Sequence, residues 1–356
     1  METPIYPNKP IFSMRALALA LGEPEALLLK VSNAANYMYR SVPQKKKNGS
    51  RRETYDAHEP LKRIQKKIIG RILSRVIFPS YLHGGIKDLA SPRSIYSNVK
   101  AHLGAQKVVL LDIEDFFPSI TVSHVYRIFN EFLKFENEVS AVLAKLTTLK
   151  GCVPQGACTS SYLANLVFWD VECLVVDRLT ARGLKYSRFA DDITISARGE
   201  FPDSDVSLVI SDVVNMLAAK GCRQKRSKLH VRRRGQAVMR AAGGFEPLTV
   251  TGLSVFNFEK PSVSQKERNK IRSSIKKIEL LVHAGEPWAL LEPLYNRAMG
   301  RVGRLIACKH LDGTRLKARL ETVKRIYDVE SPESFITGLG NATALDDVLL
   351  PPWEVT

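Results

Sequence analysis

Three carboxylates stand at spacings that could do chemistry. Asp112 follows the apolar run Val108-Val109-Leu110-Leu111. A strand of that composition is buried, and a carboxylate at its end is costly unless it is paired or binds a metal. Asp191 and Asp192 lie between two short β-rich segments, residues 186–189 and 193–196. A two-residue turn between those segments would project both acids from a hairpin tip. The strand-end aspartate and the tip pair meet if the strands lie side by side. Two Mg²⁺ ions about 3.5–4 Å apart need bridging carboxylates, which this arrangement supplies. Mg²⁺ takes hard oxygen ligands and keeps several waters, so no His/Cys set is required. No Ser/His/Asp set, Walker loop or GxGxxG motif offers a rival chemistry.

The charge around these acids points the same way. The 356 residues hold 53 Lys+Arg and 36 Asp+Glu, a net of 53 − 36 = +17. Residues 40–76 carry 12 basic and 3 acidic side chains, and residues 101–219 carry 10 basic and 15 acidic. Residues 220–240 carry 9 basic and no acidic side chains, and residues 260–328 carry 16 basic and 7 acidic. An acidic middle between three basic blocks suits a polymerase or nuclease, in which metal-holding carboxylates sit inside a channel that binds phosphates. A simple nucleic-acid coat protein has no need of the acidic middle.

Several classes are excluded. Hydrophobic residues at 45% are enough for a full core, which rules out a disordered chain. No apolar run reaches the roughly 18–20 residues of a membrane span. The N-terminus carries Glu2, Pro4, Pro7 and Pro10 and no charged leader, unlike a signal peptide. The five cysteines form no CxxC pair, which argues against a disulfide framework or zinc ribbon and for a reducing, cytoplasmic setting.

The elements that must position the acids follow from periodicity. Residues 14–39 read as helices. Residues 41–52 form a basic, turn-rich segment with Pro43 and Asn48-Gly49 as breakers. Residues 61–78 predict a helix with Leu61, Ile64, Ile68, Ile72 and Val76 on one face and basic residues elsewhere. Residues 107–113 predict a strand, 122–147 and 160–182 helices, and 205–220 a helix ended by Gly221. Strands recur near 228–232 and 248–256. From residue 264 the pattern is helical, with an apolar stripe of Ile271, Ile275, Ile278 and Val282. Strands and helices do not alternate strictly, so the fold class is α+β rather than a doubly wound sheet.

At this level of detail the chain resembles the bacterial retron-type reverse transcriptases. Asp112, Asp115, Phe116 and Phe117 in LDIEDFFPSI resemble the first palm motif. Pro154-Gln155-Gly156 resembles the second, and Phe189-Ala190-Asp191-Asp192 the third, usually YADD. Lys228 in KRSKLHV resembles the lysine of the fourth. Asn98-Val99-Lys100-Ala101-His102 resembles the NAxxH element and Val250-Thr251-Gly252 the VTG element, two signatures that separate retrons from other reverse transcriptases. The resemblance spans about residues 36–330, with Arg52 at the usual arginine of the fingers motif. Two departures stand out: Phe189 replaces tyrosine, and the stretch between Gln236 and Val250 is longer than expected.

The resemblance implies a right-hand polymerase with an antiparallel palm sheet and a helical thumb. It implies an N-terminal helical extension over 1–30, fingers over 31–107, and a palm over 108–258 with a fingers insertion at about 130–150. The thumb would cover 259–328, followed by an acidic tail at 329–356. Asp112 and Asp191 would hold two Mg²⁺ ions, with Asp192 a less direct ligand. Phe117 would gate against the ribose 2′-OH of a dNTP. Gln155 and Gly156 would line the nucleotide site, and Arg52, assisted by Lys47, would meet the triphosphate. Lys228 would protonate or screen the leaving pyrophosphate. Asn98, His102, Val250, Thr251 and Gly252 are family signatures, for which RNA contact is one expected role; for His102 the resemblance implies either folding of the retron-specific element or RNA contact, with no chemistry assigned to it. Lys266, Lys270 and Lys277 on a thumb helix would bind RNA phosphates. Implied partners are a cognate noncoding RNA and its DNA product, an accessory effector protein in antiphage defence, and a host RNase H for trimming, with no membrane. Two rivals are an intron-type or abortive-infection reverse transcriptase, which the retron signatures oppose, and a catalytically silent RNA-binding scaffold, which has no need of three close acids.

Overall fold

A computed structural model describes residues 1–45, 49, 51–235, 238–239, 245–246, 248–255 and 257–329. Lys47, most of the stretch between Gln236 and Val250, and the acidic tail beyond 329 lie outside the described residues. The chain divides into two compact units, residues 1–236 and 237–356.

The first unit opens with helices α1 (Met14–Leu21) and α2 (Glu25–Ala34). Ser13 caps α1 by accepting from the Ala16 amide, and Gly22 ends it at φ 60°, a conformation that costs glycine least. Two small antiparallel pairs follow: β1 (Tyr39–Ser41) with β4 (Tyr55–Ala57), and β2 (Gln44–Lys45) with β3 (Arg51–Arg52). Helix α3 (Leu61–Arg71) buries Leu61, Ile64 and Ile68. It ends seven residues before the expected position 78. A 3₁₀ turn, Leu73–Arg75, follows, and Ile77 then exchanges two backbone bonds with Ile5 on an extended path. Ile72 and Val76 are buried all the same.

The four-stranded antiparallel sheet is the frame of the unit. It runs in the order β6 (Lys185–Phe189), β7 (Asp192–Ala197), β5 (Lys107–Asp112), β8 (His230–Arg233). Short helix α4 (Ile95–Lys100) precedes β5, and α5 (Phe116–Ser119) follows it. Strand β5 lies between β7 and β8 and is buried on both faces, which explains its unbroken apolar run. The helix expected over 122–147 is interrupted: α6 (Val122–Arg127) passes through a π-helical turn at Ile128–Phe132 before α7 (Asn137–Thr147). The helix expected over 160–182 divides into α8 (Ser160–Leu166) and α9 (Glu172–Ala181), and α10 (Asp203–Ala218) completes the set.

Among the described residues the second unit contains two short antiparallel strand pairs and three long helices. Strands β9 (Val238–Met239) and β10 (Phe245–Glu246) pair, as do β11 (Thr249–Val250) and β12 (Leu253–Ser254). Helices α11 (Gln265–His283), α12 (Trp288–Ala307) and α13 (Leu311–Val329) pack together. The stripe Ile271, Ile275, Ile278 is buried with Leu291, Val302, Leu305, Leu316 and Leu320. The β11–β12 hairpin and its buried Val250 and Leu253 belong to this unit.

Candidate active site

The site is assembled by strand register. Asp112, the last residue of β5, pairs directly with Asp192, the first residue of β7. Phe189 closes the β6–β7 hairpin opposite Asp192, so Ala190 and Asp191 form its tip. Ala190 adopts φ 54°, a region in which an L-residue is strained. The Asp191 carbonyl accepts from the Ile113 amide at 3.0 Å, which ties the tip to the end of β5. The register therefore brings the backbones of the three acids to the same end of the sheet. Among the described residues, no three His, Cys, Asp or Glu side chains converge as a ready-made metal cage.

Electrostatics record the crowding. Asp112 is only 4% exposed. The surrounding protein pushes the Asp191 carboxyl above its ordinary range, and Asp112 adds to this; the Arg52 and Lys228 charges pull it back. Desolvation, then Asp191 and Asp112, push the Asp192 carboxyl the same way. Asp192 also retains solvent-exposed surface. The Lys228 ammonium donates to Asp112 Oδ2. Burial alone would lower its pKa; the Asp112 bond and the charges of Asp192 and Asp191 more than reverse that. Lys228 sits in a 3₁₀ turn, Arg226–Lys228, held by the Lys225 amide donating to the Asp112 carbonyl at 2.8 Å.

The other expected site residues divide. Phe117 is half-buried on α5, with its ring centroid 5.8 Å from that of Phe116. The Gln155 carbonyl accepts from the Tyr55 amide at 2.7 Å. Gly156 has φ 102°, and a Cβ there would lie 2.9 Å from the Tyr55 carbonyl oxygen. Its missing side chain lets the β4 strand close on this loop. Arg52, on β3, is exposed, and its charge reaches Asp191. Lys266, Lys270 and Lys277 are exposed on α11 in the second unit.

Of the two roles expected for the Asn98…His102 element, burial favours the folding one: the exposures of Asn98 and His102 are 0% and 1%. Val250 is likewise fully buried, whereas Thr251 is half-buried and Gly252 exposed.

Residues absent from the sequence reading also support the hairpin. Arg188, immediately before Phe189, is fully buried and makes two bonds to Glu172, at 2.6 and 2.7 Å. It donates to the carbonyls of Ala190 and Asn165 and lies over the Phe168 and Phe116 rings. Tyr186 donates to the same Glu172 carboxylate at 2.7 Å. Gly84 lies against the hairpin tip: a Cβ there would be 2.6 Å from the Ala190 nitrogen. No local spacing signals these contacts.

The donor set fits a divalent cation of the magnesium type. It is all carboxylate, its members repel one another, and Mg²⁺ needs only one or two protein carboxylates beside substrate phosphates. Asp112, Asp191 and Asp192 are the residues that would hold it. Bound there, the ion would supply charge neutralisation for phosphoryl transfer.

Comparison with known proteins agrees with this geometry. The family profile described as "Reverse transcriptase (RNA-dependent DNA polymerase)" matches residues 44–263. The retron Se72 reverse transcriptase of Salmonella heidelberg is 31% identical over 333 residues, 92% of this chain and 84% of that protein. The retron Ec48 reverse transcriptase of Escherichia coli is 31% identical over 329 residues, 89% of this chain and 77% of that protein. The retron Ec86 reverse transcriptase of Escherichia coli is 34% identical over 166 residues, 46% of this chain and 50% of that protein. With the profile covering more than half of it, and a retron enzyme aligned along nearly its whole length, the chain belongs to the retron reverse transcriptases, a family of RNA-dependent DNA polymerases.

Proposed function

We propose that the chain copies a cognate structured noncoding RNA into DNA, starting from an internal 2′-OH of that RNA and leaving a branched RNA–DNA product. The observation that carries this is the pairing of Asp112 with Asp192, with Asp191 at the adjoining tip and Lys228 bonded to Asp112. In this reading the three acids hold two Mg²⁺ ions. Arg52 receives the triphosphate through a planar fork suited to phosphate. Phe117 stands under the sugar and excludes a 2′-OH, and Gln155 and Gly156 border the base and ribose. Lys228 exchanges its bond to Asp112 for the leaving pyrophosphate and gives it a proton or a counter-charge.

The first unit then supplies fingers and palm, and the helices of the second unit act as a thumb that grips an RNA stem through Lys266, Lys270 and Lys277. A role in antiphage defence beside an accessory effector, with host RNase H trimming the template, completes the proposal. No helix among the described residues is long and apolar enough to cross a membrane.

The test is the double substitution Asp191→Asn with Asp192→Asn. DNA synthesis with Mg²⁺ is expected to vanish, while RNA affinity stays within a few fold because the basic blocks are untouched. Extension at the wild-type rate by the double variant would refute the assignment.

A further inference from the structure

The Asn98…His102 element has no role in the chemistry above, yet its side chains reach the hairpin that carries two of the acids. His102 Nδ1 lies 2.7 Å from Ser196 Oγ on β7, and Nε2 lies 2.7 Å from Ser187 Oγ on β6. Ser187 Oγ in turn donates to Asn98 Oδ1 at 2.6 Å. With its proton directed at Asn98, the Ser187 hydroxyl accepts from His102 Nε2–H. The ring is then the neutral Nε2–H tautomer, and Nδ1 accepts from Ser196. Burial, with a small contribution from His83, holds the ring neutral by lowering its pKa to about 3. One imidazole thus joins the two strands of the hairpin, and Asn98 completes a one-way chain of three hydrogen bonds.

The geometry of the sheet gives this chain a consequence at the acids. Ser187 pairs with Thr194, and Ser196 lies two residues further along β7, so both hydroxyls share one face. By the same alternation Asp192 on β7 and Asp112 on β5 belong to that face. A slip of one residue between β6 and β7 would turn one serine to the opposite face and break the chain. His102 therefore fits only one register of the hairpin, the register that pairs Phe189 with Asp192 and leaves Ala190 and Asp191 as its tip. Apolar side chains would fill the same space at lower desolvation cost, so burying this polar chain favours one arrangement over its neighbours rather than adding bulk stability.

We propose that Asn98 and His102 are positioning residues for the catalytic hairpin, acting through Ser187 and Ser196 to hold Asp191 and Asp192 where they can share a metal ion with Asp112. This rests on the polymerase reading of the three acids. It makes the element a support beneath the site, not an RNA ligand.

The test uses Ser187→Ala and Ser196→Ala, each of which removes one hydroxyl and little volume, beside His102→Ala in the full-length chain. Mn²⁺ binding is followed by electron paramagnetic resonance without nucleic acid, and RNA affinity and thermal midpoint are measured on the same samples. Removal of a group that orients metal ligands typically weakens metal affinity about 10–100-fold. The expected result is Mn²⁺ affinity about 10-fold weaker or worse in both serine variants, with RNA affinity within about twofold of wild type. The half-saturating Mg²⁺ concentration for primer extension should rise in parallel. Unchanged Mn²⁺ affinity in folded serine variants would overturn the proposal, as would loss of RNA affinity with metal binding intact. A wild-type protein that shows no Mg²⁺-dependent extension would instead count against the polymerase reading, which separates the two failures.

Discussion

Adding one methyl group at Gly84 should disable the enzyme without unfolding it. The segment around Gly84 runs beside β6: the His83 amide donates to the Arg188 carbonyl at 2.9 Å, and the Arg188 amide donates to the Tyr81 carbonyl at 2.8 Å. Asn165 Nδ2 holds the Gly84 carbonyl at 2.7 Å. An alanine Cβ at position 84 would lie 2.6 Å from the Ala190 nitrogen and 3.0 Å from the Phe189 carbonyl carbon. Ordinary contact begins near 3.4 Å, so the backbones must part by about 3.4 − 2.6 = 0.8 Å. The neighbouring atoms are backbone, not a flexible side-chain end. The tip already holds Ala190 at φ 54°, which leaves it little room to adjust. Displacement of reacting groups by about 1 Å costs on the order of 10²-fold in rate, while overpacking of this kind costs roughly 1–3 kcal/mol of stability. Single-turnover primer extension with Gly84→Ala should therefore slow by about 10²-fold, with RNA affinity retained. Gly70→Ala, where a Cβ meets nothing within 4 Å, is the matched control and should extend normally. A Gly84→Ala enzyme as fast as the control would show that the tip does not need its present position.

Three further outcomes are expected. Phe117→Val should raise ribonucleotide incorporation relative to deoxynucleotide, by an amount corresponding to about 1–3 kcal/mol of lost discrimination; unchanged discrimination in competition assays would leave Phe117 as packing alone. Neutralising Lys266, Lys270 and Lys277 together should make the log–log salt slope of RNA binding shallower by about 2–3, at roughly 0.7–0.9 per phosphate contact; an unchanged slope would move recognition to the basic blocks at 40–76 or 220–240. In metal-free buffer, Asp191→Asn with Asp192→Asn should gain stability over wild type as pH rises. Both wild-type carboxyls have raised pKa values, so above the ordinary carboxylate range the folded state binds more protons than the unfolded one and loses stability with pH. Urea denaturation at pH 5 and pH 8 checks this, and a stability difference that does not widen with pH would contradict it.

The acids were legible because their signal is local. A carboxylate closing an apolar strand and a pair between two β-rich segments announce themselves within a dozen residues, and the register between Asp112 and Asp192 follows once those strands are neighbours. The helix expected to reach 78 was misjudged for a different reason. Its apolar spacing persists, but the helix gives way to the 3₁₀ turn at Leu73–Arg75 and then to pairing with Ile5, more than seventy residues earlier. His102 is the clearest case of hidden context. A lone histidine has the same sequence signature whether it faces solvent or is enclosed, and the hydroxyls that enclose it lie 85 and 94 residues away. Gly84 and Glu172 were invisible on the same grounds, since each matters only through a contact that the folded sheet creates.

The Arg188–Glu172 pair bears on how such an enzyme can change over generations. A guanidinium and a carboxylate that are both out of water form a single unit split across two positions. Loss of either partner strands the other, at roughly 3–5 kcal/mol, a large part of the about 5–15 kcal/mol that holds a typical domain together. Replacement of both by apolar residues of similar volume can be neutral. Ordinary drift by single steps is therefore closed at these two sites, although a joint replacement is open. Position 188 also donates to the carbonyl of Ala190 in the hairpin tip, so even a joint replacement that preserves the fold would release a constraint on the neighbouring aspartates. Lineages that cross this valley should do so with both residues altered together, and with compensating changes near residues 189–192.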